Sequence, residues 1–262
     1  MITLLSAVPR AHALTLTGYT VSGTVDSTLC TNNGGSWDPT SSSCTIPMGI
    51  AWEVASSTTL TIPAGVSITG PAIGRINNLG TIDISGAWNV QSSEFDSEGT
   101  LTIESSGALL TQYELNIFGS LSNSGFLENS CGALDNRGTF SNSGTFINEG
   151  SPSGCYPGFR NFGALTNTGT IDNNYNLENS GTIENYGTIS NTGNVAAGDS
   201  FINECGGQLV GLWTSPWLLG SITQVACSLV PEFPVAALGP LIITALLFPA
   251  LLVMRRSFST PD

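Results

Sequence analysis

Residues 163–192 read GALTNT GTIDNN YNLENS GTIENY GTISNT, a run of five six-residue units that decides the fold. Every unit has an aliphatic third residue and an asparagine fifth, and four of the five begin with glycine. Full or looser copies begin at Gly119, Gly125, Gly132, Gly138, Gly144, Gly163, Gly169, Gly181 and Gly187. A short fixed period with one apolar position per unit is typical of a solenoid.

The even period indicates β-strands. In an extended segment alternate residues face opposite sides, so glycine, the aliphatic residue and asparagine share one face in every copy. A helix would scatter isoleucine and glutamate around all of its sides. We therefore predict strands whose aliphatic and asparagine side chains point inward and whose threonine points outward.

A longer period gives the size of one coil. The spacing between Gly80, Gly99, Gly119 and Gly138 is 19, 20 and 19 residues, and Gly163 and Gly181 are 18 apart. We predict three strands per coil and about eight coils, which at ~4.8 Å per coil make a rod ~40 Å long. Ile171 should then stack on Ile189. Buried asparagines should bond along the stack and to turn backbone, and the corner glycines should supply positive φ.

The segment from Trp52 to Val66 carries an apolar run that meets Ile62-Pro63-Ala64-Gly65. It resembles the entry turn of right-handed parallel β-helices, and that resemblance implies a right-handed winding. The hexads alone also suit a left-handed prism, although the left-handed pattern puts the small residue after the aliphatic one. The predicted fold is all-β: a right-handed parallel β-helix of 18–20 residues per coil, followed by one C-terminal transmembrane helix.

Composition excludes two classes of protein. The 262-residue chain has no lysine and a net charge of -13, so a nucleic acid partner would be repelled. Hydrophobic residues make up 40% of the chain and recur regularly, which excludes a disordered protein.

An even number of cysteines, six, indicates disulfides and an oxidising compartment. We predict the pairs Cys30–Cys44, Cys131–Cys155 and Cys205–Cys227 among fifteen possible arrangements. Free buried thiols are the alternative. A zinc site is disfavoured because no C-x-x-C occurs and the single histidine, His12, lies near the N-terminus.

The N-terminal segment is interpreted as the remnant of a signal peptide. Ile2–Val8 is apolar, and Ala11-His12-Ala13 resembles a signal-peptidase site that cleaves before Leu14. A basic region is missing from this leader, so we expect the true start upstream of Met1. The alternative is an N-terminal strand.

The C-terminal segment carries the stronger localisation signal. Val235–Met254 is long and apolar enough to cross a bilayer, and Arg255 and Arg256 would stay cytoplasmic, which leaves the body outside. A soluble-core helix is the alternative. Together with the preceding Pro231-Glu232-Phe233-Pro234, these parts resemble the PEF-type sorting signal of archaeal surface proteins. That resemblance implies an archaeosortase as a processing partner; retention as a simple anchor is the alternative.

These observations divide the chain into five segments. They are a leader at 1–13, an N-terminal cap at 14–57 with the Cys30–Cys44 loop, a solenoid at 58–210, a C-terminal cap and linker at 211–229, and the sorting signal at 230–262 with its helix at 235–254. A loop from Ser151 to Arg160 interrupts the hexads.

The residues favour a scaffold over an enzyme. Hydrolysis of a glycan needs two carboxylates held across a groove, and the densest acidic cluster is Glu94, Asp96 and Glu98. That cluster is a weak calcium candidate, with a solvated turn as the alternative. We predict no catalytic residues and no cofactor.

The main hypothesis is an exported, membrane-anchored structural or adhesive protein whose partners are surface glycans or envelope proteins. A polysaccharide-binding or polysaccharide-degrading β-helix is the alternative. A minor alternative is ice binding through outward threonines, which read as single rather than paired. These are Thr81, Thr100, Thr139, Thr145, Thr170, Thr182 and Thr188.

Overall fold

The computed structural model describes residues 16–71, 74–91, 94–149, 158–213 and 221–227. The described residues form a parallel β-solenoid of about eight turns with almost no helix. By internal contacts the chain divides into residues 1–225 and 226–262, and the solenoid belongs to the first unit. The predicted β-solenoid is confirmed.

Three sheets run along the rod, and each coil contributes one strand to each sheet. Sheet A contains β1 (Thr17–Thr20), β5 (Ile50–Val54), β8 (Arg75–Asn78), β11 (Glu94–Ser97), β14 (Leu115–Ile117), β17 (Ala133–Asn136), β20 (Gly158–Asn161), β23 (Asn176–Asn179) and β26 (Asn194–Ala197). Sheet B contains β2 (Gly23–Thr24), β6 (Thr59–Ile62), β9 (Thr81–Ile84), β12 (Thr100–Ile103), β15 (Ser120–Asn123), β18 (Thr139–Asn142), β21 (Ala164–Asn167), β24 (Thr182–Asn185), β27 (Ser200–Asn203) and β29 (Ile222–Gln224). Sheet C contains β3 (Ser36–Asp38), β4 (Ser43–Thr45), β7 (Ser67–Thr69), β10 (Ala87–Val90), β13 (Ala108–Thr111), β16 (Phe126–Asn129), β19 (Thr145–Asn148), β22 (Thr170–Asn173), β25 (Thr188–Asn191) and β28 (Gln208–Gly211). Neighbouring strands are parallel except for the hairpin β3–β4.

The third residue of each hexad fills the interior. Ile171 and Ile189 pair across β22 and β25, as the period predicts, and both are fully buried. Phe140, Phe146 and Phe159 pack together with ring centroids 5.2–6.1 Å apart. Burying one side chain of this size contributes roughly 1.5–3 kcal/mol. The repeated apolar position is therefore a large source of stability along the rod.

The fifth residue of each hexad builds hydrogen-bonded asparagine ladders, as predicted. In each ladder an amide Nδ2 donates to the Oδ1 of the next coil at 2.6–3.1 Å, and the amide usually also donates to a backbone carbonyl at a corner. The ladders run through Asn123, Asn142, Asn167, Asn185 and Asn203 in sheet B, Asn129, Asn148, Asn173 and Asn191 in sheet C, and Asn136, Asn161 and Asn179 in sheet A. Asn136 begins the sheet A ladder opposite Ile117, and its Oδ1 has no hydrogen-bond partner among the described residues.

The corner glycines are needed because the coils approach closely, and the predicted positive φ is wrong for them. The described glycines with positive φ are Gly23, Gly34, Gly49, Gly65, Gly70, Gly158, Gly206 and Gly211, which lie outside the hexads. A Cβ on Gly99, Gly119, Gly138, Gly163 or Gly181 would instead overlap the carbonyl oxygen of the glycine one coil earlier. Glycine occupies these corners because any side chain there would collide with the backbone of the preceding coil.

The coil length changes at the predicted interruption. Paired asparagines are 18 or 19 residues apart in most coils but 25 apart where Asn136 pairs with Asn161. Arg160, predicted to lie in the interrupting loop, lies in β20. The strand alternates like the hexads, with Phe159 pointing inward.

The N-terminal end combines strands with a small cap. Helix α1 (Ser27–Asn32) is N-capped by Asp26, whose side chain accepts a hydrogen bond from the backbone N–H of Leu29 at 2.7 Å. The predicted disulfide joins Cys30 in α1 to Cys44 in β4. Sheets A, B and C already include β1, β2 and β4, so stacking begins well before residue 58. Simple alternation of apolar residues is enough to build these first rungs without a hexad.

Candidate functional site

The outer side of sheet A carries a continuous row of polar and charged residues, here called the sheet A row. In strand register the row runs through Glu53, Asn77, Asp96, Asn116, Asp135, Arg160 and Glu178. Asn77 Nδ2 donates to Glu53 Oε2 at 3.3 Å, and Asn116 Nδ2 donates to Asp96 Oδ1 at 2.9 Å. The arginines of the described residues, Arg75, Arg137 and Arg160, all lie in this sheet or at its edge.

Arg75 lies against the acidic cluster predicted as a calcium candidate. Its Nη2 is 2.7 Å from Asp96 Oδ2 and its Nε is 3.3 Å from Glu94 Oε2. The hydrogen bond to Asp96 raises the pKa of Arg75; burial opposes this shift, and the charges of Glu94, Asp96 and Glu98 add to it. The guanidinium thus supplies the positive charge that these carboxylates would otherwise draw from a cation. Within the described ranges, no three His, Cys, Asp or Glu side chains are grouped to hold a metal ion.

Asp135 is the most deeply buried charge of the sheet A row. It is only 1% exposed, and it accepts hydrogen bonds from Arg160 Nε at 2.5 Å and Arg160 Nη2 at 2.7 Å. The guanidinium of Arg137 is 3.4 Å from the same carboxylate, and its Cζ lies over the rings of Phe118 and Phe162, 5.8 and 5.1 Å from their centroids. A buried carboxylate is tolerable when it is paired and hydrogen-bonded in this way. The cluster holds neighbouring coils together, and its carboxylate is fully engaged.

A cavity of about 290 Å³ opens on sheet A near the N-terminal end of the rod. Its lining includes Gly18, Thr20, Ala51, Glu53, Arg75, Asn77 and Glu98. Gly18 pairs with Ala51 in register, and Thr20 pairs with Glu53. Small residues therefore form a floor, and longer polar side chains surround it. Glu98, predicted as part of an acidic cluster, contributes to this cavity and not to a metal site.

Sheet B presents a different outer side, with two rows in which most residues carry a hydroxyl group. The first residues of its strands are Thr59, Thr81, Thr100, Ser120, Thr139, Ala164, Thr182 and Ser200, and the third residues are Thr61, Asp83, Thr102, Ser122, Ser141, Thr166, Glu184 and Ile202. Successive coils align them, and Ser120 Oγ lies 3.3 Å from Thr100 Oγ1. Several coils of this sheet carry hydroxyl pairs, but of the threonines predicted to be single only Thr100 has a second threonine, Thr102, in its strand.

The remaining predicted sites are only partly covered by the structure. Cys131, Cys205 and Cys227 are disulfide-bonded. The pairings Cys131–Cys155 and Cys205–Cys227 stay predictions, and Cys155 lies outside the described residues. The leader 1–13, the motif Pro231, Glu232, Phe233 and Pro234, the helix 235–254 and the pair Arg255 and Arg256 also lie outside them. Among the residues described, no helix has the length and apolarity needed to span a membrane.

Sequence reasoning missed the sheet A row and its cavity. Asn77 and Asn116 lie outside the hexads, and the residues that meet in the row are about one coil apart, a distance that varies along the chain. The signal that was available is the alternation Arg75-Ile76-Asn77 and Glu94-Phe95-Asp96, which places both polar residues of each strand outside.

Comparison with known proteins gives no relative for this chain. No protein-family model matches it, no curated protein matches it, and no solved structure matches it. The function must therefore be argued from the rod and its surfaces.

Proposed function

We propose that this chain is an exported, membrane-anchored surface protein that acts as a structural or adhesive rod and has no catalytic activity. The observation that carries the proposal is that sheets A and B both present long, regular polar faces. The most buried carboxylate of the described residues, Asp135, is paired with arginine side chains and is therefore not available as a catalytic group. The Cys30–Cys44 disulfide is consistent with an oxidising, extracellular setting.

The parts of the proposal that concern export and membrane anchoring come from the sequence. The apolar segment 235–254 followed by Arg255 and Arg256 would anchor the chain with its body outside. The Pro231–Pro234 motif would direct processing by an archaeosortase, and the rod would wind to the right, as most parallel crossovers do. Surface glycans and envelope proteins are the proposed partners.

The test is binding by the purified full chain to glycan arrays and to whole cells, with product release from polysaccharides measured in parallel. We expect specific binding to cells or glycans and no release of sugar products. A boiled sample of the same chain controls for adsorption. Release of soluble sugars by the folded chain would overturn the non-catalytic proposal, and loss of all binding would reduce it to a purely structural rod.

Ice binding is a second candidate because of the paired hydroxyl rows of sheet B. The rows repeat at ~4.8 Å along the rod, and the two residues of a pair are ~6.8 Å apart along the strand. A rigid lattice of this kind can order a matching layer of water molecules. Thr100 and Thr102 form one threonine pair of these rows, in β12.

In a chain that binds ice through sheet B, Thr102→Arg should abolish the faceting of growing ice crystals, because one long charged side chain lifts the flat face from the lattice. Thr170→Arg on sheet C is the matched control and should leave faceting unchanged. Microscopy of crystals growing in dilute protein measures both. Round, unshaped crystals with the unaltered chain would remove this candidate.

A further inference from the structure

We propose that the cavity on sheet A is a binding site for one neutral pyranose residue of a glycan, with Gly18 and Ala51 as its floor. The inference deepens the adhesive function proposed above and rests on it. It assigns that adhesion to the N-terminal end of sheet A, where the cavity lined by Arg75 lies.

The cavity exists because two small residues lie side by side among large ones. Gly18 and Ala51 are paired in β1 and β5, and the next strand in register places Arg75 beside Ala51. A Cβ added to Gly18 would meet no atom within 4 Å, so the space above this residue is open. At about 290 Å³ the cavity lies just below the ~300 Å³ at which typical ligand sites begin. That volume accommodates one sugar ring with its hydroxyl groups.

The polar groups around the floor suit a ligand that both donates and accepts hydrogen bonds. Glu53 and Glu98 provide carboxylate acceptors, Asn77 provides an amide, and Thr20 provides a hydroxyl. Arg75 contacts Glu94 and Asp96 through Nε and Nη2, which fixes its guanidinium at the cavity wall. The Asn77–Glu53 hydrogen bond is long, at 3.3 Å, so both groups can exchange it for ligand hydroxyls. The short apolar floor suits the C–H face of a pyranose ring.

Charge decides between a neutral ligand and an ionic one. The lining has one positive group, Arg75, against the carboxylates Glu53 and Glu98, in a chain whose net charge is -13. An anionic ligand would be repelled. A metal ion would have to compete with the guanidinium that already compensates the nearby carboxylates. A neutral ligand with several hydroxyl groups suits this lining, because it brings no new charge into the site.

A shallow site for so few atoms binds weakly, with a dissociation constant of about a millimolar. Many copies of the chain on one surface would bind a polymer more strongly through multivalency. Weak binding at each single site is therefore compatible with adhesion by many rods together.

The test fills the cavity without disturbing the fold. Gly18 is not in a positive-φ conformation and has open space above it, so Gly18→Tyr should fold normally and occupy the sugar site. The matched control is Ala164→Tyr, which adds the same side chain at an exposed position of β21 in sheet B, outside the cavity. Saturation-transfer NMR on the full chain would use D-glucose, D-galactose, D-mannose and N-acetyl-D-glucosamine as probes. We expect at least one probe to bind the unaltered chain and Ala164→Tyr, and Gly18→Tyr to weaken that binding at least about tenfold.

Melting curves for the three proteins establish that all are folded. A chain that binds a probe equally well with Gly18→Tyr would overturn the assignment of the cavity while leaving the adhesive function intact. If no neutral probe binds the unaltered chain, the site is refuted. Absence of glycan-array and cell binding as well would refute the adhesive function with it.

Discussion

Gly138→Ala should destabilise the solenoid by about 3 kcal/mol or more, although it adds a single methyl group. Gly138 lies in the column of corner glycines, and a Cβ there would overlap the carbonyl oxygens of Gly119 and Phe118. Neither obstacle is the end of a flexible side chain. The backbone of two coils would have to separate, which would also strain the hydrogen bond from Thr139 N–H to Gly119 O.

The matched control is Gly18→Ala, the same chemical change on an outer strand where the added atom meets nothing within 4 Å. It should change the free energy of unfolding by less than ~0.5 kcal/mol. Urea unfolding of the two variants and of the unaltered chain, followed by circular dichroism, measures the difference. Equal stability of Gly138→Ala and Gly18→Ala would show that the coils are not packed at backbone contact along this edge.

The glycine column shows where sequence reasoning succeeded and where it stopped. The period of the hexad predicted the strand positions, the inward isoleucines and the asparagine ladders, because these depend only on alternation and on a repeat of even length. The reason for glycine depends on the distance between coils, which no single unit contains. Within a single hexad, Gly99 and Gly119 look like turn residues. In the stacked coils a side chain on either one would overlap backbone, so glycine is what allows neighbouring coils to come into contact.

The cavity was less predictable for a related reason. Gly18, Ala51 and Arg75 belong to three different coils and to the part of the chain where the hexad is absent. Their proximity follows from register alone. Likewise, Glu94, Asp96 and Glu98 look like a cation site when read along the chain, whereas Arg75 one coil earlier already pairs with two of them. Sequence alone gives the composition of a face, and the register of neighbouring coils determines its chemistry.

The asparagine ladders provide the second large expected effect. Asn173 and Asn174 are adjacent in one hexad, and alternation gives them opposite environments. Asn173 is fully buried; its Oδ1 accepts from Asn148 Nδ2 at 2.6 Å, and its Nδ2 donates to Asn191 Oδ1 at 2.6 Å and to the carbonyl of Tyr175 at 3.0 Å. Asn174 is exposed and contacts Glu149 at 3.4 Å and Thr192 at 2.9 Å.

Asn173→Leu should therefore cost about 4 kcal/mol, whereas Asn174→Leu should cost less than about 1 kcal/mol. Leucine has the branching of asparagine but two larger methyl groups, so the first variant removes ladder hydrogen bonds without opening a cavity. It also leaves the buried Oδ1 of Asn191 without its donor, which alone costs about 1–3 kcal/mol. Thermal and urea unfolding of the two variants measure the difference directly. Because the two positions share a hexad and a substitution, similar losses at both would mean that the ladder amides contribute no more than surface amides, and that apolar stacking alone holds the coils together.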